Sequence, residues 1–517
     1  MKQIKILDYE ESFRDNSKEF RMPYKPSRRE FLKILGLGAA SLLSSQQSIV
    51  RRDAKKHNVL FLFTDDQRFD TMRALGNENI STPHMDALVK RGTSFRNAYI
   101  MGGNSGAVCM PSRAMLLTGR GLYHIEGQGE SIPETHVMLP ELFRKDGYTT
   151  FGTGKWHNGR EAFPRCFADA AEIMFGGMSD HWNVPAYHFD ATGAYETKTP
   201  VIEDPLHSNR VTLKGYDHIA EGKHSSELFA EAAIDFLEKH DSSNPFFLYV
   251  AFTAPHDPRS MPEEFLQMYD PQKIPLPENF MPQHPFDNGE MEVRDEQLAG
   301  FPRTPEEVHR HLVEYYAMIS HLDAQIGRIL EALKKTGQAD NTLVIFTGDN
   351  GLAVGQHGLM GKQSVYEHSV HVPLVMSGPN IPRGESRDAF CYLMDIFPTV
   401  CELTGRPIPN SVQGKSLNPV IRKENERVRH AVYFAYKNCQ RALRIGRRKL
   451  ILYNVKGEKH VQLFDLEEDP WEMNNLADES SPAGRIRELT EILRSLMKQA
   501  DDPVQLDEPD WGVKENL

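Results

Sequence analysis

Cysteine is scarce in this chain, with five residues in 517. Five are too few for a disulfide-built scaffold, and no spacing pairs Cys109, Cys166, Cys391, Cys401 and Cys439 with one another. Buried free thiols are the expected state. Basic charge is in deficit as well: 60 Lys and Arg against 72 Asp and Glu leave a formal net charge of −12. A nucleic-acid partner is thereby excluded, since a phosphate backbone demands a surplus of Lys and Arg. If such a protein handles an anion, its positive charge must be local, from a metal ion or a few placed side chains. No apolar run reaches the length needed to span a bilayer, and internal repeats and low-complexity tracts are missing. What is present, 39% hydrophobic and 26% charged residues, is the composition of a soluble globular protein. The length predicts one large domain and a smaller one.

Residues 1–55 read as an export signal and tether. Ser27-Arg28-Arg29-Glu30-Phe31-Leu32-Lys33 precedes a short apolar stretch, Ile34 to Leu43, and together they resemble a twin-arginine signal. That reading predicts the twin-arginine export machinery as a partner and a periplasmic or secreted protein. Two features depart from the pattern: the long polar lead before Met22, an alternative start, and Ser44-Ser45-Gln46-Gln47, which offers no small-x-small cleavage site.

Residues 56–430 read as the catalytic domain. Short apolar runs bounded by turn residues, at Val59–Phe63, Phe246–Phe252, Leu343–Phe346 and Tyr148–Phe151, suit strands buried on both faces of a parallel sheet. Helices alternate with them: Thr82 caps one that starts at Pro83 and stops at Gly92, and another runs from about Pro305 through Tyr315 to Leu333. This alternation predicts an α/β sheet. Residues 158–225 and 255–305 read as long loops, the natural walls of a substrate pocket. Residues 431–517 change texture, to short antiparallel strands at Ala431–Tyr436, Arg441–Ile445 and Lys449–Tyr453, then an amphipathic helix near Ile486–Leu496. These predict a small C-terminal α+β subdomain.

The four strand candidates run into Thr64-Asp65-Asp66, Gly154-Lys155-Trp156-His157, Pro255-His256-Asp257-Pro258 and Thr347-Gly348-Asp349-Asn350-Gly351. In open α/β sheets ligands bind beyond the carboxyl ends of the strands, so these groups should converge. Asp65, Asp66, Asp349 and Asn350 offer only hard oxygen ligands, which suit Ca²⁺ or Mg²⁺. Cys109 stands just before a helix-like run, Ser112 to Leu117, whose N-terminus favours an anion. Arg113 adds a planar fork suited to an oxyanion.

Cys109-Met110-Pro111-Ser112-Arg113 followed by Leu117-Thr118-Gly119-Arg120 resembles the signature of the sulfatase family. A bare C-x-P-x-R alone would arise by chance in roughly one chain in a hundred of this length. Leu463-Phe464-Asp465-Leu466 with Asp469-Pro470 and Asn475-Leu476 resembles the tail of sulfatases. The resemblance implies an α/β fold: an alkaline-phosphatase-like mixed sheet sandwiched by helices. It implies that a sulfatase-maturing, formylglycine-generating enzyme oxidises Cys109 to formylglycine, that one Ca²⁺ is bound by Asp65, Asp66, Asp349, Asn350 and residue 109, and that a sulfate ester is hydrolysed. Arg113 and His157 would hold the aldehyde hydrate and Lys155 would touch hydrate and sulfate. His256 and Lys362, the latter in Gly361-Lys362-Gln363, would bind sulfate and protonate the leaving group. One hydroxyl of the hydrate attacks sulfur, and the second loses its proton so that the aldehyde re-forms and sulfate departs.

The expected substrate is a sulfated carbohydrate, with His181, Trp182, Tyr187, His188 and Arg259 of the long loops as candidate contacts. An aryl or choline sulfate, or a phosphonate monoester or phosphodiester, is the enzymatic alternative. A sulfoglycan-binding protein with an unmatured cysteine is the non-enzymatic one. His357, His368 and His371 lie near Lys362 in sequence and receive no role.

Overall fold

Eight strands form the central sheet: β1 (Asn58–Thr64), β2 (Gly92–Phe95), β3 (Thr149–Trp156), β4 (Asp169–Phe175), β5 (Phe246–Ala251), β6 (Thr342–Gly348), β7 (Leu374–Ser377) and β8 (Glu385–Arg387). They lie in the order β8-β2-β7-β6-β1-β5-β3-β4. The computed structural model describes residues 56–202, 209–423, 426–478, 483–508 and 511. The twin-arginine run and its apolar stretch lie outside them.

The four central strands β6, β1, β5 and β3 are parallel neighbours, whereas β7 runs antiparallel to both β6 and β2. The sheet is therefore mixed, as expected. Every residue of β1, β5 and β6 is buried, which is why these segments read as continuous apolar runs. Helices cover the sheet. The helix Pro305–Lys335 buries Val308, Leu312, Tyr315, Ile319, Leu322, Ile326, Ile329 and Leu333, one stripe at helical spacing. Thr304 caps it by accepting from Glu307 N.

The shorter helix Pro83–Arg91 starts and stops where the sequence indicates, but its cap comes from elsewhere. Thr82 Oγ1 is engaged by Arg73 N and Asp86, and the free N–H groups of His84 and Met85 donate to the Asp323 carboxylate of the long helix at 3.1 and 2.7 Å. An N-terminus packed against another helix can be capped by that helix, and no local pattern reveals it.

Residues 158–225 are not the irregular loop the sequence predicts. They contain the edge strand β4, a strand Asn183–Ala186 paired with His218–Glu221, and a strand Thr199–Ile202 paired with Val211–Lys214. Four-residue strands with half-polar faces lack the apolar signature of a buried strand. Residues 255–305 do remain mostly irregular, with one helical turn at Glu263–Leu266 and a 3₁₀ segment at Arg294–Leu298.

Near the C-terminus, strands Ala431–Tyr436, Gln440–Ile445, Arg448–Val455 and Glu458–Asp465 form an antiparallel sheet, joined at its edge by Gly102–Gly103 from just before Cys109. The helix Ala483–Gln499 follows. A buried charge cluster ties this sheet to the segment after Lys362. Lys449 Nζ sits 2.9 Å from Glu367 Oε1 and 2.7 Å from Glu472 Oε1. Burial alone would raise both carboxyls. Lys449 and His371 together outweigh it at Glu367, which falls to about 2, whereas Glu472, beside the charged Glu367, is pushed up to about 7. All five cysteines are buried free thiols.

Replacing Lys449 by Met leaves Glu472 buried without its cation and Glu367 with Arg444, 3.0 Å from its Oε2. A loss of about 3–5 kcal/mol in denaturant unfolding is expected, and a loss under about 1 kcal/mol would show that the cluster does not hold the two parts together.

Candidate active site

Register places the first acidic groups. Thr64 of β1 pairs with Gly348 of β6, so Asp65-Asp66 and Asp349-Asn350 leave adjacent parallel strands side by side. Backbone bonds lock the exits: Asp349 N donates to Thr64 O, Asp65 N to Ala254 O, and Asp66 N to Asp349 Oδ1, at 3.0–3.1 Å. Asp66 adopts a left-handed φ of 63°, a conformation a non-glycine residue keeps only when its surroundings hold it. Tyr315 does so, donating its hydroxyl to Asp66 O at 2.7 Å while accepting from Arg68 N at 3.0 Å. Tyr315 is a functional support that the sequence hides, because its helical spacing marks it only as core.

β3 delivers Lys155 through a bulge between Thr153 and Gly154. Gly154 has a positive φ, and a Cβ there would collide with Ala251 O, so no other residue fits. Lys155 Nζ donates to Asp65 Oδ2 and lies 3.7 Å from Cys109 Sγ.

Cys109 is the first residue of the helix Cys109–Thr118, which starts three residues before the Ser112 expected from sequence and so takes Cys109 into its first turn. Its Sγ lies 3.3 Å from His157 Nδ1. Two side chains of the same helix fasten it to the end of β6: Ser112 Oγ donates to Asp349 O at 2.5 Å, and Arg113 Nε donates to Asp349 Oδ2 at 2.9 Å. Arg113 also reaches Lys155 O at 3.3 Å and approaches Asp65 at 3.8 Å.

On the other side of Asp66, Lys362 Nζ and Asn350 Nδ2 both donate to its Oδ1 at 2.7 Å, and His256 Nε2 stands 3.5 Å from its Oδ2. Every catalytic and metal-binding residue expected from the sequence therefore converges at the carboxyl ends of four parallel strands. Only His157 among them is more than slightly exposed.

The electrostatics follow from burial and pairing. Three carboxylates (Asp65, Asp66, Asp349) face three cations (Arg113, Lys155, Lys362). Burial raises the carboxyls of Asp65 and Asp349 against the pull of Lys155 and Arg113, and at Asp349 the neighbouring Asp65 adds to the rise. At Asp66 burial is outweighed by Lys362 and His256, which hold its carboxyl below the usual range. Burial, then Lys155 and Arg113, drive His157 down to about 2, so its imidazole is neutral.

A divalent cation fits this donor set. Oxygen or sulfur atoms of Asp65, Cys109 and Asp349 lie within 4.8 Å of one another. Asp65 Oδ1 and Asn350 Oδ1 are buried with no hydrogen-bond partner, two hard oxygens free to ligate a cation.

The other candidates sort differently. His181 is buried with both ring nitrogens used, by Ser225 Oγ at 2.6 Å and His256 O at 3.0 Å, and Tyr187 is buried as well. Neither is a free wall of the pocket. Trp182 and His188 keep surface exposure. Arg259 bonds His311 Nδ1 at 2.8 Å. His357 stacks on Tyr366 and His371 on Phe69, with ring centroids 4.1 and 4.0 Å apart, and His368 lies 3.2 Å from Ser364 Oγ. These three are packing residues.

Asp349→Asn keeps the side-chain shape and removes one negative ligand. The affinity for an added divalent cation, read by titration calorimetry, should fall roughly 100-fold; an unchanged affinity would remove Asp349 from the candidate ligand set.

Comparison with known proteins agrees with this geometry. A family model described as Sulfatase matches residues 57–406, and one described as N-sulphoglucosamine sulphohydrolase, C-terminal, matches residues 355–499. The N-acetylglucosamine-6-O-sulfatase of Bacteroides thetaiotaomicron is 27% identical over 542 residues, covering 91% of each chain. The iduronate 2-sulfatase of Homo sapiens is 30% identical over 394 residues, covering 70% of this chain and 68% of its own. A protein solved in complex with its substrate D-glucosamine-2-N,6-O-disulfate superposes with a TM-score of 0.70 at 25% identity, covering 88% of this chain and 99% of its own. With the signature cysteine at the head of its helix and the paired acids at the ends of adjoining strands, the chain belongs to the sulfatase family of alkaline-phosphatase-like fold and is a sulfuric ester hydrolase.

Proposed function

We propose that the protein removes sulfate from a sulfated carbohydrate, with Cys109 matured to formylglycine as its nucleophile. The observation that carries this reading is the Cys109 side chain, set at a helix N-terminus among Lys155, His157 and the Asp65–Asp349 pair. A thiol needs none of these neighbours in order to pack; an oxygen nucleophile attacking an anionic ester needs all of them. Maturation calls for a formylglycine-generating partner enzyme. Hydrated formylglycine would supply the attacking oxygen and a second hydroxyl whose deprotonation lets sulfate leave.

Asp65, Asp66, Asp349 and Asn350 would hold a Ca²⁺ ion, chosen over softer metals because each of them offers a hard oxygen. Bound there, the ion would polarise a sulfate oxygen and lower the pKa of the attacking hydroxyl. The chain's own groups do the rest. Arg113 and Lys155 orient the anion from one side and Lys362 from the other. Neutral His157 can accept a hydrogen bond from a hydroxyl of the hydrate, and His256 with Lys362 offsets charge on the departing oxygen. The carbohydrate assignment draws on the names of the relatives above and on Trp182 and His188, two surface rings that flank the strand Asn183–Ala186.

The decisive test compares the chain from its native host on sulfated mono- and oligosaccharides, 4-nitrophenyl sulfate and an aryl phosphonate. Turnover should be highest on a sugar sulfate. Cys109→Ala should cut kcat by more than about 10⁴-fold while costing stability only about 1 kcal/mol. Residue 109 should also weigh about 18 Da less than cysteine by intact mass. Turnover of the aryl sulfate with none on any sugar would reject the carbohydrate reading, and preference for the phosphonate would reject sulfate as the native group.

Export through the twin-arginine route to the periplasm or beyond belongs to the same proposal and rests on Arg28-Arg29. The double Lys variant at Arg28 and Arg29 should accumulate in the cytoplasm. Secretion at the wild-type level would overturn the export reading.

A further inference from the structure

His256 and Lys362 come from loops far apart in sequence, yet a chain of charged contacts joins them from behind, centred on Arg294. The Arg294 guanidinium grips the Asp257 carboxylate with both terminal nitrogens, one of them at 3.0 Å from Oδ1. Asp257 in turn accepts from His256 Nδ1 through its backbone oxygen at 2.8 Å, with its Oδ1 3.4 Å from the same nitrogen. Arg294 Nη2 also lies 2.7 Å from Asp295 Oδ1. Asp295 Oδ2 accepts from Gln363 Nε2 at 2.7 Å, and Gln363 Oε1 accepts from Lys362 N at 2.9 Å. The same Gln363 amide donates to Gly106 O at 3.0 Å, in the loop that leads to Cys109. One residue further on, Glu296 accepts from Met360 N and Gly361 N, both at 2.9 Å, and is itself paired with buried Arg303.

This arrangement exceeds what packing requires. The Arg294 side chain is 46% exposed, and an ion pair made by so exposed a side chain adds little to stability. Its two carboxylates nevertheless lead separately to His256 and, through Gln363, to the backbone of Lys362. Its own segment, Arg294–Leu298, is an isolated 3₁₀ stretch in the Pro-rich connection 255–305, and no motif marks residues 294–298 as functional.

We propose that Arg294 is a positioning residue for departure of the leaving group. By holding Asp257 and Asp295 at once, it fixes the placement of His256 and Lys362 on the side where negative charge develops on the departing oxygen. The inference rests on the role given above to those two residues. Charge on that oxygen is greatest for poor leaving groups, so misplacing His256 and Lys362 penalises those esters most.

The test is a series of aryl sulfates, from 4-nitrophenyl sulfate to phenyl sulfate, with the wild type, Arg294→Gln and Arg294→Lys. In Arg294→Gln, kcat on phenyl sulfate should fall roughly 100-fold and kcat on 4-nitrophenyl sulfate less than about fivefold, with KM changed less than about twofold for both. Arg294→Lys should recover part of the loss, because it restores the charge without the fork. An equal fall on every ester, a rise in KM alone, or no change would each overturn the proposal. Failure of the underlying function is distinguishable, since the wild type would then release sulfate from no ester, sugar sulfates included.

Discussion

Three carboxylates buried at the ends of two neighbouring strands must be compensated, and most of the site can be read as the answer to that demand. Asp65, Asp66 and Asp349 are each at most 2% exposed. Isolated charges in such a position would cost several kcal/mol each and would protonate instead. Arg113, Lys155 and Lys362 balance them one for one. The balance is neutral only without a metal. A divalent cation added to it leaves the centre net positive by two, the right sign for a sulfate ester and opposite to the acidic balance of the whole chain. A protein with a net charge of −12 can thus bind an anion by concentrating its positive charge in one buried place.

That balance also explains why the nucleophile sits on a helix rather than a loop. The helix Cys109–Thr118 presents its N-terminal end to the anion and reaches the end of β6 through Ser112 and Arg113, so the nucleophile and the acidic pair move as one body. Gly119 ends it with φ 65° in the left-handed region, where a Cβ would press 2.8 Å from Val412. The Gly102–Gly103 strand just before it joins the edge of the C-terminal sheet. Positioning of the nucleophile therefore draws on both sheets.

The outer supports are of another kind. Tyr315, His181, Arg294 and Asp323 touch backbone or carboxylates of other segments. They fix a left-handed aspartate, the carbonyl of a histidine, a pair of loops and a helix start. Each acts on a residue remote in sequence. Such groups set geometry to within the tolerance that catalysis requires, although none of them need touch substrate.

What the sequence determined by itself was everything encoded locally. Continuous apolar runs marked the parallel strands, because burial on both faces leaves no room for alternation. The residues at the ends of those runs marked the site, because the carboxyl end of a parallel strand is where ligands bind. The spacing of Cys109, Pro111 and Arg113 marked the nucleophile's helix. What only the tertiary structure decided was non-local. The strands Asn183–Ala186, Thr199–Ile202, Val211–Lys214 and His218–Glu221 are short and half-polar, so residue type does not mark them and only the folded chain shows their pairing. His181 and Tyr187, pocket walls by residue type, are buried because His181 is bonded to Ser225 and His256 and Tyr187 bridges to Ile173 of the edge strand β4. The cap of the helix Pro83–Arg91 comes from Asp323, and the tie between His256 and Lys362 runs through Arg294, since a hydrogen bond between residues remote along the chain leaves no periodicity or spacing for a sequence to display.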